Sequence, residues 1–198
     1  QLRTPLSGIK WMLELAKDTD EPEEKASYVG DARESADRLI SLVNDLLDAS
    51  RLESGKLQVT LEPVRIVELT HDVLADVATL VRERHHTLDI EAQPDVPAAM
   101  LDVQLLRQVI LNLASNAIKY TPEGGRIAIT IECEGRAIRW SIRDSGIGIS
   151  EEAQKRLFEK FFRADNAQTV DTEGTGLGLY LVRLIVDRKS TRLNSSHV

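Results

Sequence analysis

Apolar residues recur at helical spacing near the start of the chain, at Leu6, Ile9, Leu13 and Ala16, with Met12 and Leu15 widening the stripe. A period close to 3.6 residues predicts an amphipathic helix. Pro5 suits a first helical turn, where its missing N–H has no intrahelical partner to lose; it would kink a helix that began further upstream. The polar run from Asp18 to Glu24 breaks the pattern and carries a start signal, with Asp20 as the expected cap and Pro22 and Glu23 in a first turn. The next stripe is Val29, Ala32, Ala36, Leu39, Val43, Leu46 and Leu47, with Ile40 beside it. Its near-heptad spacing predicts a coiled-coil-like seam, and Gly55 is placed to end the helix. Two helices alone cover such stripes poorly. Two copies of the hairpin would bury them in a four-helix bundle; packing on the rest of the chain is the competing solution.

Beyond residue 57 the pattern changes to mixed α/β. Leu57 to Leu61 and His86 to Ala92 alternate as strands do, and Val64 to Arg82 has a helical period. Asp102 to Tyr120 predicts a strong helix with Leu105, Leu106, Val109, Ile110, Leu113 and Ala117 on its buried side. Arg126–Cys133 and Ala137–Arg143 alternate across the short link Glu134 to Arg136, which predicts a hairpin. A last helix begins near Gly176 or Gly178. The expected organisation is a helical hairpin over residues 1–57, an α/β domain over 58–187, and a polar, unpatterned stretch over 188–198 that reads as a foreign or disordered tail.

Composition narrows the classes. With 42% hydrophobic and 29% charged residues, the 198-residue chain has the balance of a globular protein. A net charge of -7 gives no support to binding a nucleic-acid backbone. No apolar run approaches the ~20 residues needed to span a bilayer, and no signal peptide is visible. Cys133 is the one cysteine, so an internal disulfide is impossible, and in an alternating strand it reads as a small buried hydrophobe.

Four stretches carry the candidate chemistry. In N-L-A-S-N-A-I-K-Y, Asn112 and Asn116 are four apart and share a helix face. Such amides are costly in an apolar helix unless partnered, and their oxygens are hard ligands suited to Mg2+. The bland alternative is a pair of solvated or capping amides. Lys119, one turn on, could meet a phosphate. In D-S-G-I-G-I, from Asp144 to Ile149, two glycines let the backbone approach a flat ligand, and Asp144 at a strand end can accept from an exocyclic amine; a plain turn is the alternative. L-F-E-K-F-F-R, from Leu157 to Arg163, gathers all three phenylalanines, as a hinge or as a core patch. E-G-T-G-L-G-L, from Glu173 to Leu179, leads into a helix whose N-terminal amides and dipole would favour phosphate. No G-K-S or G-K-T follows it, so it is not a Walker loop, and it lacks the strand and spacing of a dinucleotide fingerprint.

With these four stretches in this order, the sequence resembles the catalytic core of sensor histidine kinases. Residues Gln108–Tyr120 match the family's N box, Asp144–Gly148 its first glycine box, Phe158–Phe161 its phenylalanine box and Gly174–Gly178 its second glycine box. The resemblance implies a Bergerat-type ATP-binding fold, an α/β two-layer sandwich with a mixed sheet, of the kind shared with DNA gyrase and a heat-shock chaperone family. It implies ATP and Mg2+ as cofactors. Asn116 would hold Mg2+ and Asn112 would support the triphosphate site. Lys119 and Arg163 would contact phosphate, and Tyr120 would pack near the adenine. Asp144 would receive the adenine amine, with Gly146 and Gly148 shaping that pocket. Residues Arg163 to Glu173 would form a lid hinged at Gly174, Gly176 and Gly178.

The opening hairpin resembles the family's dimerisation and phosphoacceptor module, whose signature reads His, an acidic or amide residue, Leu, Arg, Thr, Pro, Leu. The chain starts at its second place, so the acceptor histidine is expected just upstream of Gln1. The implied activity of the intact parent is ATP-dependent autophosphorylation on histidine, followed by phosphotransfer to a response-regulator aspartate. It implies a homodimer through residues 1–57, a receiver-domain partner, and the cytoplasmic portion of a plasma-membrane sensor. Gln1 stands where a Glu could act as base, and an amide cannot take a proton in that way. Thr4 is the family's position for orienting water in the reverse, phosphatase direction. A phosphatase-biased or regulatory relative is therefore the alternative; a chaperone or topoisomerase domain would not present L-R-T-P-L first. His71, His85, His86 and His197 have no phosphoacceptor motif around them and read as structural or exposed. After Asp187 the family's glycine turn and two closing strands are not expected, which predicts a sheet lacking its last two strands and a weakly stable ATP domain.

Overall fold

The computed structural model describes the backbone of residues 3–55, 58–135, 137–170 and 174–194, and the side chains of those between 5 and 187. Gln1 and His197 lie outside the described residues, as does the side chain of Thr4. The chain forms two compact units, Gln1–Ser54 and Gly55–Val198.

The first unit is a hairpin of α1 (Arg3–Asp18) and α2 (Pro22–Glu53). Asp20 is not the cap of α2. Pro22 takes the first helical position, where its fixed φ fits, so the preceding Glu21 becomes the N-cap, without a side-chain cap bond. Thr19 organises the turn instead: its Oγ1 donates to Glu24 Oε2 at 2.9 Å and accepts from the Glu21 N–H at 3.3 Å. At the other end α2 stops at Glu53, and Gly55 follows with φ +70°.

The expected apolar stripe of α2 splits in two. Ala32, Ser35, Leu42, Ala49 and Leu52 are buried, as is Ala16 of α1. Val29, Ile40, Val43 and Leu47 are exposed, as are Leu6 and Leu13 of α1. With 16 residues, α1 is half as long as the 32-residue α2 and cannot cover all of its apolar positions.

The second unit stacks helices on one face of a sheet. Its elements are β1 (Glu62–Val64), α3 (Ile66–Glu83), β2 (Thr87–Ala92), β3 (Ala99–Leu101), α4 (Val103–Tyr120), β4 (Arg126–Glu134), β5 (Ala137–Asp144), α5 (Glu151–Arg156), α6 (Asp165–Val170) and α7 (Gly178–Asn194). Among the described residues the main sheet is mixed and three-stranded, in the order β2-β4-β5, with β2 parallel and β5 antiparallel to β4. The β4–β5 hairpin pairs Glu134 with Ala137 and turns through Gly135 at φ +63°. β1 and β3 form a separate antiparallel ribbon.

The alternation seen at Leu57 to Leu61 does not make a strand over its described residues, 58–61. The first strand lies further on, at Glu62–Val64, because burial of Val64 in the core sets its pairing with Ala99. The segment before it is held by a side chain: the Thr60 N–H donates to Asp102 Oδ2 at 2.9 Å, while Asp102 Oδ1 caps α4 by accepting from the Leu105 N–H at 3.1 Å. Asp102 is buried, and both oxygens are used.

Ile127, Ile129 and Ile131 of β4 point inward and pack with Leu74, Val77 and Val81 of α3 and Ala114, Ala117 and Ile118 of α4. A second group joins Val64, Leu69, Val73 and Ile110. Leu181, Val182 and Ile185 bury the inner side of α7, which packs on α4.

Ile129 is 0% exposed in the middle strand of the sheet. Ile129→Ala is expected to destabilise the second unit by about 2–5 kcal/mol through lost burial and a residual cavity. Urea denaturation monitored by circular dichroism measures it; a loss below about 1 kcal/mol would contradict this packing.

Candidate functional site

Helix α4 brings the first group of candidate residues to one side of the sandwich. Its inner side is committed to the sheet, which leaves Asn112 and Asn116 half-buried on another side, one turn apart. Among the described residues neither side-chain amide has a hydrogen-bond partner. Gly178, the first residue of α7, lies beside them: a Cβ there would sit 3.1 Å from Asn112 Oδ1. The N-terminus of α7 and the Asn112 amide therefore share one place, with Asn116 one turn further along α4. The buried Leu177 fixes it, with its carbonyl accepting from the Leu181 N–H at 2.9 Å. Further along α4, Lys119 Nζ lies 5.8 Å from the centroid of the Tyr120 ring.

The glycine loop after β5 is tied to the end of α4. Asp144 Oδ1 accepts from the Gly146 N–H at 2.9 Å, and the Ile147 N–H donates to the Tyr120 carbonyl at 3.2 Å. At Gly146 the space for a side chain is already taken: a Cβ would lie 2.5 Å from Asp144 Oδ1 and 2.6 Å from the Tyr120 carbonyl oxygen. Asp144 is exposed, and a carboxylate that accepts one bond on one oxygen keeps most of its acceptor capacity. Gly148 adopts φ +68°. The Gly148 carbonyl accepts from Asn166 Nδ2 at 2.9 Å and the Ile149 carbonyl from Gln154 Nε2 at 3.0 Å.

Ser150 caps α5 by accepting from the Ala153 N–H, and the phenylalanine cluster follows. Phe161 has φ +65°, a left-handed conformation that a bulky residue adopts only when held. The holding group is Gly176: the Phe161 N–H donates to its carbonyl at 3.0 Å, and a Cβ at Gly176 would lie 2.8 Å from the Phe161 carbonyl carbon. Cations gather here. Arg156 stacks 4.5 Å from the Phe162 ring centroid, and Lys160 lies 5.6 Å from that of Tyr180. They line an open cleft of about 400 Å³ together with Arg163, Asp165 and Gln168.

The four stretches are thus joined in pairs: Asn112 with Gly178, Tyr120 with Gly146 and Ile147, Phe161 with Gly176. Gly174 is half-buried at the start of the second glycine run. Thr4 lies in α1 of the first unit. His85 and Glu123 form an exposed pair at 2.8 Å, and His86 is buried with Nε2 against the carbonyls of Thr121 and Pro122, so both histidines serve structure. His71 is exposed on α3.

Residues 1–55 match the family described as His Kinase A (phospho-acceptor) domain, and residues 101–196 match the Histidine kinase-, DNA gyrase B-, and HSP90-like ATPase family. Among solved structures, the catalytic domain of the histidine kinase ThkA superimposes with a TM-score of 0.58 at 30% identity, covering 65% of this chain and 80% of that one. This chain is a histidine kinase segment. Full-length ShkA in complex with AMPPNP gives a TM-score of 0.70 at 35% identity, over 92% of this chain and 38% of that one. The sensor protein GacS of Pseudomonas syringae pv. syringae is 35% identical over 193 residues, 95% of this chain and 21% of GacS. The chain spans about a fifth to a third of the length of the first curated relatives it matches.

Asn166, Gln154 and Asp102 also organise this histidine kinase fold through their side chains, beyond what the sequence pattern indicates. The first two are polar residues within polar stretches, with no periodic signature to separate them from their neighbours. Asp102 was detectable as a residue opening the α4 pattern, though not its second bond to Thr60.

Gly176 and Gly135 both have positive φ, but a Cβ at Gly135 would meet nothing within 4 Å. Gly135→Ala is expected to cost about 1 kcal/mol of backbone strain, and Gly176→Ala about 2–4 kcal/mol, since it also pushes Phe161 aside. Thermal melts of the two variants compare them directly; equal losses would contradict the crowding at Phe161.

Proposed function

We propose that this chain belongs to the catalytic core of a sensor histidine kinase whose intact parent binds ATP in the second unit and transfers the γ-phosphoryl group to a histidine just upstream of Gln1 on the hairpin module. The observation that carries this reading is the pair of half-buried carboxamides one turn apart on α4, with Asn112 Oδ1 beside the N-terminus of α7. Amides that no protein group engages are open to water or to a ligand. The bound AMPPNP in the ShkA structure supports the same reading.

The donor set fits the expected cofactor. Among the described residues no group of three or more His, Cys, Asp or Glu could hold a metal, but amide oxygens are hard ligands, and Mg2+ commonly takes one or two protein donors and completes its shell with phosphate oxygens and water. Asn116 would hold Mg2+, with Asn112 supporting the triphosphate. When bound, Mg2+ neutralises charge on the phosphate oxygens. The protein's own groups do the rest. Asp144, kept in place by the Gly146 N–H, accepts from the adenine amine, and Gly146 and Gly148 shape that pocket. Tyr120 lies against the base. Lys119 and Arg163 offset charge on the phosphate oxygens, and the peptide groups of Gly174, Gly176 and Gly178 border the phosphate side. Catalysis in this scheme is positioning and electrostatic stabilisation, as phosphoryl transfer requires.

The exposed apolar side of the hairpin supports homodimerisation into a four-helix bundle, where Val29, Ile40, Val43 and Leu47 would be covered. The phosphohistidine would then pass its phosphoryl group to an aspartate of a receiver domain; ThkA has been solved in complex with the response regulator TrrA. No helix among the described residues is long and apolar enough to cross a membrane. We place this segment on the cytoplasmic side of a membrane sensor, where ATP is available. Gln1, an amide where an acidic base would serve, favours a second reading in which the phosphatase direction, with Thr4 orienting water, dominates.

Calorimetric titration of the chain with ATP and Mg2+ tests the site. Asp144→Asn is expected to weaken ATP binding at least about tenfold, and Asn116→Ala to remove the Mg2+-dependent gain in affinity. ATP binding by Asp144→Asn at the wild-type affinity would sink the adenine assignment. In the full-length parent protein, Mg2+-ATP is expected to yield acid-labile phosphate that Asn116→Ala abolishes; phosphate release from a phosphorylated receiver without such labelling would favour the phosphatase reading.

A further inference from the structure

The loop after β5 is irregular, and Gly148 at its centre is not wedged by packing. A Cβ there would meet nothing within 4 Å, although φ is +68°. A glycine in open space can reach either sign of φ at little cost, so something other than crowding selects its conformation. The hydrogen bonds do. Two successive carbonyls, those of Gly148 and Ile149, each accept from a side-chain carboxamide, and each carboxamide comes from a different helix: Asn166 of α6 and Gln154 of α5.

Gln154 is five residues from its acceptor and belongs to the helix that the loop itself leads into. Asn166 is different. It reaches back across 18 residues from the segment that follows the phenylalanine cluster. Bonds of its neighbours Thr169 and Gln168 are local. Thr169 Oγ1 donates to the Asn166 carbonyl, Gln168 Nε2 to the Arg163 carbonyl, and the Gln168 N–H to the carbonyl of the buried Ala164. The Asn166 side chain thus connects the phosphate-side segment to the adenine-side loop.

We infer that Asn166 is a positioning residue of the nucleotide site, holding the Gly148 peptide in the orientation that nucleotide requires and linking order in the loop to order in α6. The inference rests on the reading of Asp144 to Gly148 as the adenine-binding loop. Without the Asn166 donor the Gly148 carbonyl turns to water, the loop spreads over more conformations, and the apparent dissociation constant rises by the inverse of the competent fraction. Asn166 is exposed, so the expected factor is that of one solvent-accessible hydrogen bond, about three- to tenfold. Aspartate at this position has nearly the same shape but only acceptors, and its charge would oppose the carbonyl; it should bind nucleotide more weakly than alanine does.

The test uses the 198-residue chain with Asn166→Ala, Asn166→Asp and, as a reference, Asp144→Asn. Three quantities are measured: the dissociation constant for ATP with Mg2+, hydrogen exchange of the backbone amides throughout the second unit without nucleotide, and the nucleotide-free melting midpoint. The expected result is weaker ATP binding in the order wild type, Asn166→Ala, Asn166→Asp, with faster exchange confined to the loop and α6 and an unchanged melting midpoint. Wild-type affinity in both Asn166 variants, while Asp144→Asn loses binding, would overturn the positioning role and leave the adenine assignment standing. Wild-type affinity in Asp144→Asn would overturn both. A fall in the melting midpoint with exchange accelerated throughout the second unit would assign Asn166 to general stability and also overturn the inference.

Discussion

Burial of one side of α4 is the constraint on which the second unit depends. Ala114, Ala117 and Ile118 are packed against Ile127, Ile129 and Ile131 of the central strand, and Ile110 against Val73 and Leu69. Once those contacts form, the helical phase leaves no freedom for Asn112, Asn116 and Tyr120. Their positions are set by residues that touch no ligand. The same helix is anchored at its start by Asp102, whose two oxygens hold both the first turn and the segment leading into β1. A rotation of α4 that moved the two asparagines would also have to expose isoleucine and break that cap.

The other half of the site is built differently. The glycine loop, the phenylalanine cluster and the second glycine run contribute few buried side chains and are fixed by hydrogen bonds and close backbone contact: Ile147 to Tyr120, Phe161 to Gly176, Gly148 to Asn166. Apolar burial gives helices and sheet a stability that is spread over many contacts, whereas a loop pinned by single bonds opens at low free energy. A well-packed helix beside lightly held loops would suit the proposed nucleotide site, which would have to admit a triphosphate and then enclose it. The positive φ of Phe161 belongs to this second half, because a strained residue held by one glycine is a local arrangement that needs its neighbour in place.

How much of this was readable in the sequence follows from the same distinction. Elements stabilised by burial announce themselves through period: α3, α4, β2, β4 and β5 lie within a few residues of their expected positions. The Leu57 to Leu61 alternation misled because period alone does not supply a pairing partner; Val64, which the core takes, decides the register. Asp20 looked like a cap, but proline at the next position but one shifts the cap to Glu21. The α2 stripe was visible as apolar, yet the pattern could not say which of its positions would be buried, with Ser35 and Leu42 covered and Val43 and Leu47 exposed. The glycine and asparagine positions of the site stood out through rare residue types at fixed spacing. The bonds that hold the loops did not, since Asn166 and Gln154 differ from their polar neighbours only in where the fold brings them.

The two units divide the physical work. The hairpin of α1 and α2 buries Ala32, Leu42, Ala49 and Leu52 and leaves Val29, Ile40, Val43 and Leu47 exposed, so its fold and the proposed association would draw on different residues of the same helix. The sandwich buries its apolar groups between helices and sheet, and at its candidate site polar and hydrogen-bonding groups stand beside the exposed Ile147, Ile149, Phe158 and Phe161. In the proposed kinase, association through the first unit would need area and shape, and nucleotide recognition through the second would need direction, which amides, a carboxylate and backbone carbonyls supply. Changes to the exposed apolar side of α2 would then act separately from changes at the candidate nucleotide site. At Gly146 and Gly176 the backbone is already in close contact with its neighbours, and a single methyl group has nowhere to go.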